Sequence, residues 1–307
     1  MIPLGPARAG VIAFDVGGTD IKSGLVDAAG AMRGLQRTPT PPLGADPAAA
    51  LVDELARLAD GLRARHPEIL PVAAGLVVPG IVDADAGVGV FASNLGWRDA
   101  PLRELAAARL GLPVAFDHDV GTAAWAEHRI GAAREYDDVV VLVIGTGIAG
   151  AVLAGGRPYA AGGYAGEFGH SPVADDPVCP CGARGCLEAI ASAGAIVRRY
   201  TAATGDEPRG AEDVIARAVA GDAVAARVWG EALDALALSL AQITAMLAPE
   251  AVIIGGGLSR AGGALFDELR ARLAARLSFH RAPLLRPAEL HGDAGIIGAA
   301  LRAREIA

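Results

Sequence analysis

Three cysteines, Cys179, Cys181 and Cys186, fall within eight residues of a chain that has no others. Three thiolates at this spacing, with His170 upstream as a fourth donor, match a tetrahedral Cys3His zinc site. Four protein ligands leave no open coordination position, so the metal expected here is structural Zn2+, ordering the loop 170–186. An odd count in one short window argues for metal rather than disulfides. Glycine carries a second chemistry. Gly17-Gly18 closes a run ending at Asp15, Gly145-Thr146-Gly147 closes Val139–Ile144, and Gly255-Gly256-Gly257 closes Ala251–Ile254. Turns without Cβ atoms let backbone N–H groups approach phosphate oxygens, and three of them suggest a nucleotide held by several loops. None has the Walker A or G-x-G-x-x-G spacing. In the first turn Asp15 could hold Mg2+ through water, with Thr19 and Lys22 beside it. Lys22 is the single lysine among 27 basic residues, and a site that needs a compact ammonium cannot freely accept a guanidinium. Asp119 follows an apolar run and opens the next helical stretch, where open α/β sheets commonly place catalytic groups and where an Asp can also simply cap the helix.

Those residues need a scaffold of strands ending in turns. Val11–Asp15 and Ile21–Val26 read as a hairpin about the first glycine pair. Leucines 51, 55, 58 and 62 give 46–65 a helical period, Val72–Val78 is a buried strand ending at Pro79-Gly80, and a Gly-rich loop follows. Helix 101–110, strand Val114–Phe116 and helix Val120–Ile130 come next. A second series opens with Val139–Ile144 and Ala151–Ala154. Residues 155–186 are too irregular for regular elements. Helices over Glu188–Ala202, Ala211–Val219 and Ala223–Leu247, a strand Ala251–Ile254, and helices over 263–277 and Gly295–Arg304 complete the pattern.

At 307 residues, 52% hydrophobic and 20% charged, the chain can bury two cores, and two domains with a cleft between them are expected. A formal net charge of −8 makes a phosphate-backbone footprint, and so nucleic acid, a poor partner. The apolar stretches Val139–Ile144 and Leu236–Ala248 fall short of the ~20 residues of a spanning helix, and the opening residues lack the apolar region of an export signal. No membrane association and a cytoplasmic location are therefore expected.

Asp15-Val-Gly-Gly-Thr-Asp-Ile-Lys22 resembles the first phosphate motif of the actin-like sugar kinases, Gly145-Thr-Gly-Ile-Ala-Gly150 their second, and Ile253-Ile-Gly-Gly-Gly257 their adenosine motif. Gly166-Glu-Phe-Gly-His170 followed by Cys179-Pro-Cys-Gly-Ala-Arg-Gly-Cys186-Leu-Glu188 is similar to the signature of the ROK family, repressors, open reading frames and kinases, which includes bacterial glucokinases. The resemblance runs from about residue 10 to 305. It implies an α/β two-domain actin-like ATPase (RNase H-like) fold, with a small domain of residues 1–118 completed by a C-terminal helix at 293–307, and a large domain of 119–292. It also implies an ATP- and Mg2+-dependent transfer of the γ-phosphoryl group to the 6-hydroxyl of a hexose, foremost glucose, with Asp119 as general base. Gly80, Asn94, His118, Glu167, His170 and Glu188 would join Asp119 around the sugar. Gly17, Gly18, Thr19, Lys22, Gly145, Thr146, Gly147 and Gly255 to Gly257 would hold the nucleotide with Asp15.

Alternatives remain at this level: another hexose such as mannose or fructose, N-acetylmannosamine or N-acetylglucosamine, polyphosphate as donor, or a sugar-sensing regulator without catalysis. Repressors of the family carry a helix-turn-helix before the first motif, whereas 14 residues precede Asp15 here. The expected assembly is a homodimer or homotetramer. Two positions depart from the family pattern: His118 stands where an Asn is expected, and Ala149 replaces a glycine. The first bears on the identity of the sugar.

Overall fold

The computed structural model describes residues 8–307. Residues 1–7, on which the expectation about an export signal rests, lie outside the described residues. The chain divides into two compact units, one of residues up to 126 with 160–164 and 293–307, the other of 127–159 with 165–292.

In the first unit, β1 (Ala9–Val16) and β2 (Asp20–Val26) form the expected hairpin, with Asp15 directly opposite Lys22. A third strand, β3 (Met32–Pro39), pairs with β2. Its sequence, with Arg33, Gln36 and Arg37, leaves no face fully buried and so carries little apolar signal. Next, α1 (Pro47–Arg65) starts where the Asp46 carboxylate accepts the Ala49 N–H, with proline at the first helical position where a missing N–H costs nothing. Leu51, Leu55, Leu58 and Leu62 are buried beneath it, each stabilising the fold by about 1.5–3 kcal/mol. β4 (Leu70–Val78) adds parallel to β1.

The stretch from Gly80 to Ala100, expected as a loop, instead forms a small antiparallel sheet of β5 (Ile81–Asp83), β6 (Val88–Phe91) and β7 (Arg98–Ala100). Strands of three or four residues are too short to show a period. After α2 (Leu102–Leu110), β8 (Val114–His118) pairs parallel to β4 and completes the order β3-β2-β1-β4-β8. From the end of β8, α3 (Asp119–Ile130) leads the chain into the second unit. The other face of the first sheet is covered by the closing helix α9 (Ala294–Glu305), whose Ile296, Ala299 and Ala303 pack on Val11, Ala13, Ala73 and Val77.

The second unit repeats the plan. Strands β9 (Val139–Ile144), β10 (Ile148–Ala154), β11 (Arg157–Tyr159), β12 (Ala251–Gly255) and β13 (Leu284–Pro287) lie in the order β11-β10-β9-β12-β13. As in the first sheet, two antiparallel pairs are followed by two parallel ones. The helix expected over Glu188–Ala202 is two, α4 (Leu187–Ala191) and α5 (Ala193–Thr204). They break at Ser192, whose extended backbone and buried hydroxyl, accepting from the Ala195 N–H, start a new helix. Helices α6 (Ala211–Val219) and α7 (Ala223–Leu247) run as their periodicity predicts, and α8 (Gly263–Ala274) ends three residues early. By length and composition the whole of α7 could cross a membrane, a point the shorter stretch Leu236–Ala248 concealed. Here it is a core helix, with Val228, Leu233, Leu236, Leu240 and Ile243 buried with strand residues Leu142 and Ile254, and Arg227 and Glu231 paired on its outer side.

Gly75 of β4 shows how tightly α9 is seated, because a Cβ there would run into the backbone carbonyl of Ala299. Backbone cannot swing aside as a flexible side chain can. Gly75→Ala is expected to lower stability by about 1–3 kcal/mol in urea unfolding; an unmoved midpoint would mean that α9 does not sit on this strand.

Candidate functional site

Both units place their polar groups where strands end. In the first, Asp15 sits one residue from the end of β1, where Lys22 Nζ donates to its Oδ2 at 3.0 Å. Only 15% of either side chain is exposed. The turn that follows is tied to its own chain: the Gly17 N–H donates to the Asp20 carbonyl, the Thr40 hydroxyl donates to the Gly17 carbonyl, and the Thr40 N–H to that of Thr19. Gly295, in the first turn of α9, approaches the Asp15 carboxylate so closely that a Cβ would lie 2.7 Å from Oδ2. The amide of Asn94 lies over the bare Cα of Gly18. Gly80 closes β4 in the left-handed region, at φ +95°, against the Phe91 carbonyl.

Asp119 stands at the junction of β8 and α3, with a quarter of its side chain exposed. Loss of water holds its carboxyl above the ordinary carboxylate range; the neighbouring His118 opposes that shift and the charge of Asp15 adds to it. Asp119 Oδ1 accepts the Val120 N–H at 2.6 Å and lies 3.2 Å from His118 Nε2. The other nitrogen of His118, Nδ1, accepts the Gly121 N–H at 3.1 Å. One ring nitrogen of the residue expected at a sugar is thus held by backbone of the first unit.

In the second unit the turn Gly145-Thr146-Gly147 is braced by Glu188. Its Oε2 accepts the Ile148 N–H at 2.7 Å and lies against the Cα of Gly147, which has room for it only as glycine. The Ala193 N–H donates to the Gly145 carbonyl at 2.8 Å, so α5 begins on the same turn. Ala149, the departure from the family pattern, lies within β10 opposite Val143. A cavity of about 620 Å3 opens beside Gly257, lined by Ala193, Leu258, Arg260, Arg209 and residues of the first turn of α6. The sequence offered no sign of Arg209 or Arg260 at this place, because the lining comes from three separate segments whose side chains share no motif.

The cysteine loop is the most complete constellation. One ligand atom from each of His170, Cys179, Cys181 and Cys186 can be chosen so that all lie within 4.8 Å of one another. Cys181 and Cys186 sulfurs are 3.7 Å apart, and Cys179 Sγ is 3.8 Å from His170 Nδ1. A tetrahedron with bonds of about 2.3 Å has edges of about 3.8 Å, so these two pairs already stand at zinc-ligand separations. Chemistry agrees with geometry. Burial and the two neighbouring thiols push the Cys186 thiol up to about 12 in the absence of a cation, whereas backbone hydrogen bonding at Ala183 lowers Cys181. Three thiolates would therefore need a dication for company, and these four residues fit structural zinc. With Nδ1 facing the sulfurs, His170 turns Nε2 toward Glu167 Oε2, 3.9 Å away.

A profile of the ROK family matches residues 11–306. A glucokinase of Streptomyces coelicolor is 33% identical, over 96% of this chain and 97% of its own. An N-acetylmannosamine kinase of Shigella flexneri is 34% identical, over 96% of this chain and 98% of its own. Among solved structures, a ROK family glucokinase from Streptomyces griseus in complex with glucose and AMPPNP superposes with a TM-score of 0.81 at 31% identity, covering 96% of this chain and 99% of that one. The fold class expected from the sequence, an α/β actin-like ATPase fold, holds.

Elemental analysis is expected to find about one zinc per chain, released as pH falls because protons compete for the thiolates. Cys186→Ser should lose the metal and lower the melting temperature. Full metal content in that variant would remove Cys186 from the ligand set.

Proposed function

Because the chain belongs to the ROK family, we propose that it is an ATP-dependent sugar kinase that transfers the γ-phosphoryl group to the 6-hydroxyl of a hexose, and that the hexose is glucose. The observation that carries the reading is Asp119, a carboxylate held at a strand end with one oxygen engaged by backbone and the other left for a substrate hydroxyl. Its raised affinity for a proton suits a general base, which must accept the hydroxyl proton as that oxygen attacks phosphorus. The new O–P bond forms as the bond to the β-phosphate bridging oxygen breaks, the proton goes to Asp119, and ADP leaves.

Roles for the remaining residues follow from which atoms are uncommitted. Glu188 spends Oε2 on the Ile148 N–H, so Oε1 is the oxygen that would accept a sugar hydroxyl. His170, ligating through Nδ1, would keep a proton on Nε2 and donate it, beside Glu167 as acceptor. Asn94 and the turn at Gly80 would serve the sugar in the first unit, and the N–H groups of Gly17, Gly18 and Thr19 would serve phosphate. Gly145 to Gly147 and Gly255 to Gly257 would do the same in the second, with adenosine in the cavity beside Gly257. Asp15, a hard oxygen donor close enough to raise Asp119, fits Mg2+ held through water, with Thr19 alongside. When bound, Mg2+ neutralises phosphate charge. Lys22 holds the Asp15 carboxylate in place for it.

Similarity to the N-acetylmannosamine kinase favours a second reading, an N-acetylated aminosugar as acceptor. A panel of hexoses and aminosugars assayed by ADP release decides between them, and ADP release with no sugar in the panel would end both. A cytoplasmic setting is supported by three thiols grouped for metal rather than joined in disulfides. A homodimer or homotetramer is part of the same proposal, checked by light scattering.

Asp119→Asn is expected to reduce kcat by at least about 10³-fold while glucose affinity, measured by calorimetry, stays within about threefold. The folded chain holds the Asp119 proton more tightly than the unfolded one, so the ionised carboxylate costs stability above its folded titration and the variant should melt no lower at pH 7. Near wild-type kcat would remove Asp119 as the base.

A further inference from the structure

We infer that Arg260 holds the nucleobase of the phosphoryl donor with the flat face of its guanidinium, so that the donor site grips a purine as a plane and does not read its edge. The inference rests on the reading of the cavity beside Gly257 as the adenosine site. At about 620 Å3 that cavity falls within the usual small-molecule range of about 300–1,000 Å3. Small and aliphatic residues such as Ala193 and Leu258 make up much of its wall, and its charged groups are Arg209, Glu212, Asp213 and Arg260. No aromatic ring is among the described residues that line it, so a purine finds no ring there to stack on. A guanidinium can take that part, being planar, weakly hydrated and attracted to the face of a π system. Of the two arginines, Arg260 is the one set against the adenosine motif: a Cβ on Gly257 would lie 3.9 Å from its Nη2.

The turn that carries Arg260 is fixed, while its side chain is uncommitted. Gly256 takes the chain through the left-handed region, at φ +78°, so close to the Ile144 carbonyl that a Cβ would clash. In the short 3-10 turn Gly257–Ala261, Leu258 is buried and Ser259 Oγ donates to the Gly256 carbonyl at 2.8 Å. Arg260 itself is exposed and makes no hydrogen bond or ion pair with the described residues. On the helix that follows, Arg270 pairs with Asp267, and Arg272 with Asp234 and Glu268. In a chain with 35 acidic residues against 27 basic ones a carboxylate is readily supplied, yet Arg260 stands beside a cavity without one. A ligand can therefore engage this guanidinium without first breaking a pair.

A grip on the face is indifferent to the atoms on the rim. Adenine and guanine differ at the edge, where one presents an amino donor and the other a carbonyl acceptor. Asn and Gln, the side chains that read an adenine edge, are not among the described residues lining the cavity. Stacking tolerates a change of nucleobase because every one has a π face. ATP and GTP should therefore both serve as donors.

The test uses full-length protein, with nucleotide binding measured by calorimetry in Mg2+ without sugar, and KM measured with glucose. Wild type is expected to bind ATP and GTP within about tenfold of each other. Arg260→Ala should weaken both by about tenfold and raise KM in parallel, with kcat within about twofold. Its melting temperature should hold, since the side chain supports no bond of the fold. Arg260→Tyr offers a face without a charge and should stay within about threefold of wild type, whereas Arg260→Lys offers a charge without a face and should lose as much as Arg260→Ala. Unchanged nucleotide affinity in Arg260→Ala would overturn the inference. Recovery in Arg260→Lys but not in Arg260→Tyr would overturn it too, and would place the residue on phosphate. So would a wild-type preference for one purine beyond about tenfold, which would mean that the edge is read. If wild type binds nucleotide but phosphorylates no hexose, the kinase reading fails on that assay, while the calorimetry still decides what Arg260 holds.

Discussion

The carboxylate of Asp119 sits where water is scarce, and the groups around it act on its charge in opposite directions. Removal from water raises its proton affinity and the charge of Asp15 raises it further. Both effects favour the protonated form of the carboxyl over the ionised one. The opposing effects come from the junction of β8 and α3: the nearby His118 ring and the Val120 N–H, which donates to Oδ1. Asp15 is in turn compensated by Lys22 across the hairpin, a cross-strand pair that exists because β1 and β2 are in register at those two residues. The lone lysine of the chain is thus placed by strand pairing.

The second unit solves a different problem with the same sheet. Its glycine turn at 145–147 has little side-chain bulk to hold it, and Glu188 fixes it through the Ile148 N–H. Glu188 lies two residues after Cys186, so the position of that carboxylate depends on the sulfur cluster. A structural metal would here govern the shape of a turn that it never touches.

Much of this was legible from the residues alone. The hairpin, α6, α7 and the cysteine cluster each announce themselves by a period or a spacing that physics allows few ways to satisfy. Other features hid for identifiable reasons. Strands β5 to β7 are too short to have a period, and β13 draws its stability from pairing with β12 rather than from its own apolar pattern. The break at Ser192 is decided by one hydroxyl turned inward. His118 stood out as an unusual residue, but its contact with the start of α3 depends on ring orientation, which the Gly121 N–H bond fixes. No one-dimensional reading reports which way an imidazole faces.

The seating of α9 has a consequence for how the protein is made. Val11, Ala13, Ala73 and Val77 belong to strands synthesised early, and the helix that covers them follows the whole of the second unit in the chain. On the ribosome the second unit can therefore complete its core while the first still waits with an apolar sheet face uncovered. That interval is long by the standards of strand aggregation, since elongation runs at about 5–20 residues per second. The small side chains on that face, alanine and valine rather than leucine or phenylalanine, keep the waiting surface modest, and it is the same smallness that later lets α9 approach the sheet at Gly75.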